Sequence, residues 1–172
     1  LAANVDVVFI VMGLDGDFNL TRLARFLALV ASSGALPVVV ANKIDLAADA
    51  PAKVGEIRVS APGVALHAIS ARVSETVREL APYFAGNRTV ALIGASGAGK
   101  STLTNALLGD AVQATQEVRT YDNRGRHTTT HRQLFLRPEG GSIMDTPGIR
   151  GLELWVESES PLDEFADLED LA

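Results

Sequence analysis

Two clusters of glycine and polar residues, each directly after an apolar run, restrict this chain more than anything else in it. Gly94-Ala95-Ser96-Gly97-Ala98-Gly99-Lys100-Ser101 follows the apolar Thr89–Ile93 and opens a helical pattern over Ser101–Leu108. Asn42-Lys43-Ile44-Asp45 follows the apolar Leu36–Ala41. A glycine-rich loop between a strand and a helix curls the backbone so that successive N–H groups point inward, and the helix adds its positive end. A chain carrying such a loop is expected to be a layered α/β protein whose strand ends line up along one edge.

The rest of the chain agrees with that layering. Val5–Met12 is a continuous apolar run, as a strand covered on both faces requires. Asn19 can cap a helix to about Ser32, with Leu20, Leu23, Ala24, Leu27 and Val30 spaced for one buried face, and Gly34 stops it. Residues 47–63 carry no clear period and are expected to be irregular, with room for a short helix. Ala65–Ile69 reads as a strand ending at Ser70-Ala71, Ser74–Phe84 as a helix with Val77, Leu80 and Ala81 inward, and residues 110–127 as a long polar loop. Arg132–Leu136 and Ser142–Met144 supply two more strands around Pro138-Glu-Gly-Gly141. The expected fold is a three-layer phosphate-loop NTPase fold, a mostly parallel sheet with helices on both faces. Ligands on such sheets bind outside the carboxyl ends of the strands, and all four motif candidates sit at such ends.

Composition sets the class. The 172 residues suffice for one domain with a sizeable core, and 47% of them are hydrophobic. There is no cysteine, which excludes disulfides and thiolate metal sites within these residues. No apolar run approaches the roughly 18 residues of a membrane span, and Leu1–Met12 lacks a basic leader, so the expectation is a cytoplasmic protein with no membrane attachment. The net charge of −6 is segregated: residues 152–172 hold eight acids and no Lys or Arg, leaving 15 basic and 13 acidic residues over 1–151. Five arginines face one acid within Arg119–Arg137; that segment is either a solvated loop or a surface that touches RNA or a partner. The chain starts without methionine and stops inside the acidic stretch, so it reads as an excised piece of a longer protein.

The chemistry of each cluster is specific. In the glycine-rich loop, Gly94 to Gly99 would cradle a β-phosphate, Lys100 would bridge β- and γ-phosphates, and the Ser101 hydroxyl, with Thr102 beside it, would face Mg²⁺ and phosphate. The Asp45 carboxylate can accept two hydrogen bonds from N1–H and the 2-amino group of guanine, an arrangement adenine does not offer. Asn42 can fix the loop, the Lys43 stem can cover the ring, and Ser70-Ala71 can supply a backbone donor for the guanine oxygen. Asp145-Thr-Pro-Gly148 has the form of a γ-phosphate switch: Asp145 would reach Mg²⁺ through water and the Gly148 amide would sense the γ-phosphate. Thr129, within Thr128-Thr129-Thr130, is the choice for the hydroxyl that closes over Mg²⁺, with its neighbours as near equals. Many GTPases place a glutamine after that glycine to orient water; here it is Ile149, so unaided hydrolysis should be slow. His127, His131 or Arg126 would have to help, or a partner would.

In this order guanine recognition comes first and the switches last, so the five GTPase motifs run fourth, fifth, first, second, third. Together with Gly125-Arg-His-Thr-Thr-Thr130 and Ser96-Gly97, they resemble the bacterial small ribosomal subunit biogenesis GTPases, the RsgA/YjeQ family, from Val5 to about Trp155. The resemblance implies a circularly permuted GTPase domain over 1–151, binding GTP or GDP with Mg²⁺, and ribosome-stimulated hydrolysis late in small-subunit maturation. It implies the small subunit and its rRNA as partners of a monomer. It also implies an RNA-binding OB-fold before this chain and a zinc domain after it, with residues 152–172 (Leu162, Phe165, Leu168, Leu171 at helical spacing) as connector. Rival readings are a permuted GTPase of large-subunit assembly, which typically carries Pro-Asn where this chain has Ser96-Gly97, and an ABC-type ATPase, which leaves Asn42–Asp45 unexplained. A nucleotide-gated binding module with vestigial hydrolysis is the third.

Overall fold

The computed structural model describes residues 4–16, 18–109 and 133–145. Six strands form one sheet in the order β3-β2-β1-β4-β6-β5: β1 Val7–Gly13, β2 Leu36–Asn42, β3 Ala65–Ala68, β4 Thr89–Ile93, β5 Gln133–Leu136 and β6 Ser142–Asp145. Every neighbouring pair is parallel except β5 with β6, which is antiparallel. The turn joining that pair is short, as an antiparallel connection permits, whereas the parallel pairs require crossovers through helices.

β1 and β4 lie at the centre. All seven residues of β1 are buried, which is why the run shows no alternation in sequence: each face is covered by a different layer. Val7, Phe9 and Val11 point into one core with Val38, Val40, Val90 and Leu92. Val8, Ile10 and Met12 point into the other with Val39, Ala41, Ala91 and Ile93.

The second core is closed by α1 (Leu20–Ala31) and α2 (Ala50–Ser60). Asn19 caps α1 as expected, its side-chain oxygen accepting from the Arg22 amide at 2.9 Å. The buried stripe is Leu23, Phe26 and Val30, each worth roughly 2 kcal/mol on burial. Leu20 and Leu27 pack at its margin. Ala24 is exposed, contrary to expectation, because the stripe turns through Phe26 instead. The expectation of irregular structure over 47–63 is corrected too, since most of it is α2. That helix buries only Ala50 and Ile57, so its pattern shows almost no amphipathic period, and Pro51 sits in its first turn, where a missing N–H costs nothing.

The first core is closed by α3 (Ser74–Arg78), a 3₁₀ turn (Ala81–Phe84) and α4 (Lys100–Leu108). The single helix expected over Ser74–Phe84 is thus two short pieces. Pro82 has no N–H to donate back along a continuing α-helix, and the chain tightens before it. Val77 and Leu80 are buried as expected, while Ala81 is only half-buried. Phe9 anchors this layer by edge-on contacts with Tyr83 and Phe84, at centroid distances of 5.6 and 5.9 Å.

Candidate functional site

The parallel strands deliver their carboxyl ends to one edge, where α4 also starts. β4 feeds the loop 94–99. Gly94 has φ +145°, and a Cβ there would lie 2.1 Å from the carbonyl oxygen of Val11 on β1, so only glycine lets the loop leave the sheet so close to its neighbour. Gly97 has φ +81° and open space around it. Gly99, at φ +97°, begins α4, and a Cβ on it would meet Asn42 Nδ2 at 2.3 Å. Lys100 folds over the loop, its ammonium donating to the carbonyls of Gly94 and of Ala95 (2.7 Å). Ser101 and Thr102 are exposed on the first turn of α4.

The tetrapeptide at the end of β2 is tied directly to that loop. Asn42 is only 2% exposed. Its Nδ2 donates to the Ala98 carbonyl at 2.9 Å, and its Oδ1 accepts from the Ala71 amide at 2.9 Å. One carboxamide therefore joins three segments: the end of β2, the glycine loop and the residues after β3. Lys43 adopts φ +67°, uncommon for a residue with a side chain. Asp45 is exposed beyond it.

Ser70 is buried, and Thr76 of α3 braces it from two sides. The Thr76 hydroxyl donates to the Ser70 carbonyl at 2.9 Å and accepts from the Ser70 amide at 3.2 Å. On β3, His67 reaches Tyr83 OH at 2.9 Å and Glu79 at 3.3 Å, fastening the edge strand to the same layer. Because the Ala71 amide is already engaged by Asn42, a ligand carbonyl here must share it or take the Arg72 amide, whose bond to Ser70 Oγ is long at 3.4 Å.

A cleft of about 70 Å³ opens between these segments, lined by Asn42, Lys43, Asp45, Ser70, Ala71, Gly99 and Thr102. Three motifs separate in sequence thus share one concavity. β6 ends at Asp145, beside β4 at the same edge. His127, Thr128, Thr129, Thr130, His131, Gly148, Ile149 and the acidic tail lie outside the described residues.

Two participants escaped sequence reasoning. Thr76 looks like an ordinary helix residue. Asp15 lies two residues beyond β1, whose own carboxyl end belongs to the ligand edge as much as those of its neighbours; its carboxylate pairs with Lys43 at 2.6 Å. The signal was there in the rule that all parallel strand ends face the ligand.

The model of the RsgA GTPase family matches residues 1–155. The chain belongs to that family. RsgA relatives named small ribosomal subunit biogenesis GTPase are 52% identical in Xylella fastidiosa (strain 9a5c) and 47% identical in Methanosarcina acetivorans. Each match covers all of this chain but 50% and 47% of the relative, so the chain spans about half the length of the curated relatives it matches. The crystal structure of YjeQ from Thermotoga maritima superposes with a TM-score of 0.65 at 29% identity, covering 85% of this chain and 49% of that one. YloQ, a circularly permuted GTPase, superposes at 0.62 and 23% identity, covering 93% and 48%, a likeness of fold. The RsgA family's α/β architecture is therefore the one this sheet order builds.

Proposed function

We propose that residues 1–151 are a circularly permuted domain that binds and hydrolyses GTP, and that residues 152–172 connect it to a further domain. The observation that supports this best is the Asn42 carboxamide, which holds the glycine loop and the Ser70-Ala71 turn in one cleft. Base and phosphates of a single nucleotide can then be read together. Asp45 at the rim would accept from N1–H and the 2-amino group of guanine, Lys43 would cover the ring, and Ala71 or Arg72 would donate to the guanine oxygen.

The residues present also suit the phosphates. The start of α4 offers a positive helix end, and Lys100, whose ammonium now donates to loop carbonyls, would exchange them for phosphate oxygens. Mg²⁺ would be held by the Ser101 and Thr129 hydroxyls, with Asp145 through water. When bound, it would neutralise charge on the phosphate oxygens. In hydrolysis a water oxygen attacks the γ-phosphorus and GDP leaves; the Gly148 amide donates to the γ-phosphoryl oxygens as their charge grows. Ile149 cannot orient that water, so His127 is assigned the task, with full effect only when a partner holds the switch segment.

The relatives' names support the small ribosomal subunit as that partner. The proposal further takes rRNA as the surface met, by a monomer acting in the cytoplasm late in subunit maturation. Among the described residues no helix is long and apolar enough to cross a membrane. Asp45→Asn is expected to shift preference from GTP toward xanthosine triphosphate; unchanged GTP selectivity refutes the guanine assignment. Steady-state hydrolysis by the full-length protein should rise with purified small subunits and not with large ones, the reverse pattern favouring large-subunit assembly.

A further inference from the structure

We propose that Asp15 is a positioning residue for the purine site, setting the affinity for guanine nucleotides through Lys43. The proposal rests on the guanine reading of the cleft and adds to it a residue from outside its motifs.

The loop after β1 is pinned on both sides. The Leu14 amide donates to the Asn42 carbonyl at 2.9 Å, so the loop is locked to the first residue of the Asn42–Asp45 motif. From α2, the Lys53 ammonium donates to the Leu14 carbonyl at 2.7 Å. The next residue, Asp15, thereby faces Lys43, and Oδ2 meets Nζ at 2.6 Å with the side chains 32% and 24% exposed. Gly13 makes room for this pair. A Cβ at position 13 would lie 2.5 Å from Asp15 Oδ1 and 3.6 Å from Lys43 Cδ.

The consequence concerns the lysine stem. Lys43 lines the cleft, and its backbone already occupies an uncommon left-handed conformation. A lysine side chain left loose must be ordered when a planar ring lies on it, and that ordering weakens binding. Held at its far end by Asp15, the stem is in place beforehand. The role assigned to Asp15 is therefore indirect: it fixes the Lys43 surface on which the ring would lie.

The test is GDP and ADP binding to the full-length protein, with release of a fluorescent GDP followed by stopped flow. Asp15→Ala should weaken GDP about five-fold, as expected for a partly exposed ion pair, mainly through faster release. In a Lys43→Met background, which keeps an apolar stem but no ammonium, Asp15→Ala should have no further effect. Asp15→Asn keeps the shape and should give about a two-fold loss, covering the case in which the alanine variant does not fold. Unchanged GDP affinity in Asp15→Asn and Asp15→Ala overturns the proposal, as does a five-fold loss that persists beside Lys43→Met. A parent protein that binds ADP as well as GDP instead overturns the underlying guanine reading.

Discussion

Replacing Asn42 by alanine removes a side chain that joins three segments of the edge, and its cost can be worked from the contacts. The Ala71 amide loses its acceptor and the Ala98 carbonyl loses its donor, around a side chain only 2% exposed. A buried backbone group left without a partner costs about 1–3 kcal/mol. Water entering from the adjoining cleft offsets part of that, so Asn42→Ala should destabilise the ligand-free fold by about 2–4 kcal/mol. For a chain of this size each kcal/mol lowers the melting midpoint by roughly 2–4 °C, a fall of about 5–15 °C in all. Urea unfolding is the assay, with the slope against denaturant checked so that the midpoint alone carries the change. Asn42→Asp sharpens the test. It keeps the acceptor for Ala71 but sets a carboxylate oxygen against the Ala98 carbonyl, and should cost at least as much. A loss below about 1 kcal/mol in Asn42→Ala, or none in Asn42→Asp, refutes the reasoning that this carboxamide clamps the loops.

Two further predictions concern the supports of the edge. The Arg137 guanidinium donates to the Leu107 carbonyl at the end of α4 (3.0 Å) and lies 4.1 Å over the Phe84 ring. Arg137→Met should lower stability by about 2–3 kcal/mol in thermal unfolding while GDP affinity stays at the parent value, because the contact is at the end of α4 far from the glycine loop. Thr76→Val deletes both hydrogen bonds to the Ser70 backbone and should cost about 1–2 kcal/mol. Thr76→Ser, which keeps the hydroxyl, should melt close to the parent, and equal melting of the two variants would show the brace to be unimportant.

The core strands were legible because their burial on two faces writes an unbroken apolar run: β2 and β4 begin where the composition changes, and β4 matches its expected span, Thr89–Ile93. The first helix announced itself through Asn19 and a broad apolar stripe. α2 did not, since a helix that fully buries Ala50 and Ile57 and only partly buries Val54 leaves no period to read. Pro82 was visible in the sequence, but the apolar spacing of Val77, Leu80 and Ala81 outweighed it. The gathering of Asn42, Asp45, Ser70 and the glycine loop was legible because each follows an apolar strand, and a parallel sheet brings such strand ends to one edge. Asp15 and Thr76 act by holding other residues, a task many side chains can perform, so their identity carries no motif. The strand-end rule marks the neighbourhood of Asp15, and the fold then shows what each side chain holds, Asp15 against Lys43 and Thr76 against Ser70.

The strand order has a consequence for the way the molecule is made. The Asn42–Asp45 and Ser70-Ala71 segments lie in the first half of the chain and the glycine loop in the second, and the two halves meet where β1 runs beside β4. A ribosome releases the chain from its amino end, so β1, β2 and β3 and their intervening helices emerge together, each strand finding a partner close in sequence. During that interval Asn42 Oδ1 has the Ala71 amide to accept from, yet its Nδ2 has no Ala98 carbonyl to donate to. The edge is completed only when Ala98 has been synthesised and β4 has docked. A nascent chain of this protein therefore gains its cleft in one late step, and any pause in translation before residue 98 leaves it with half of that cleft.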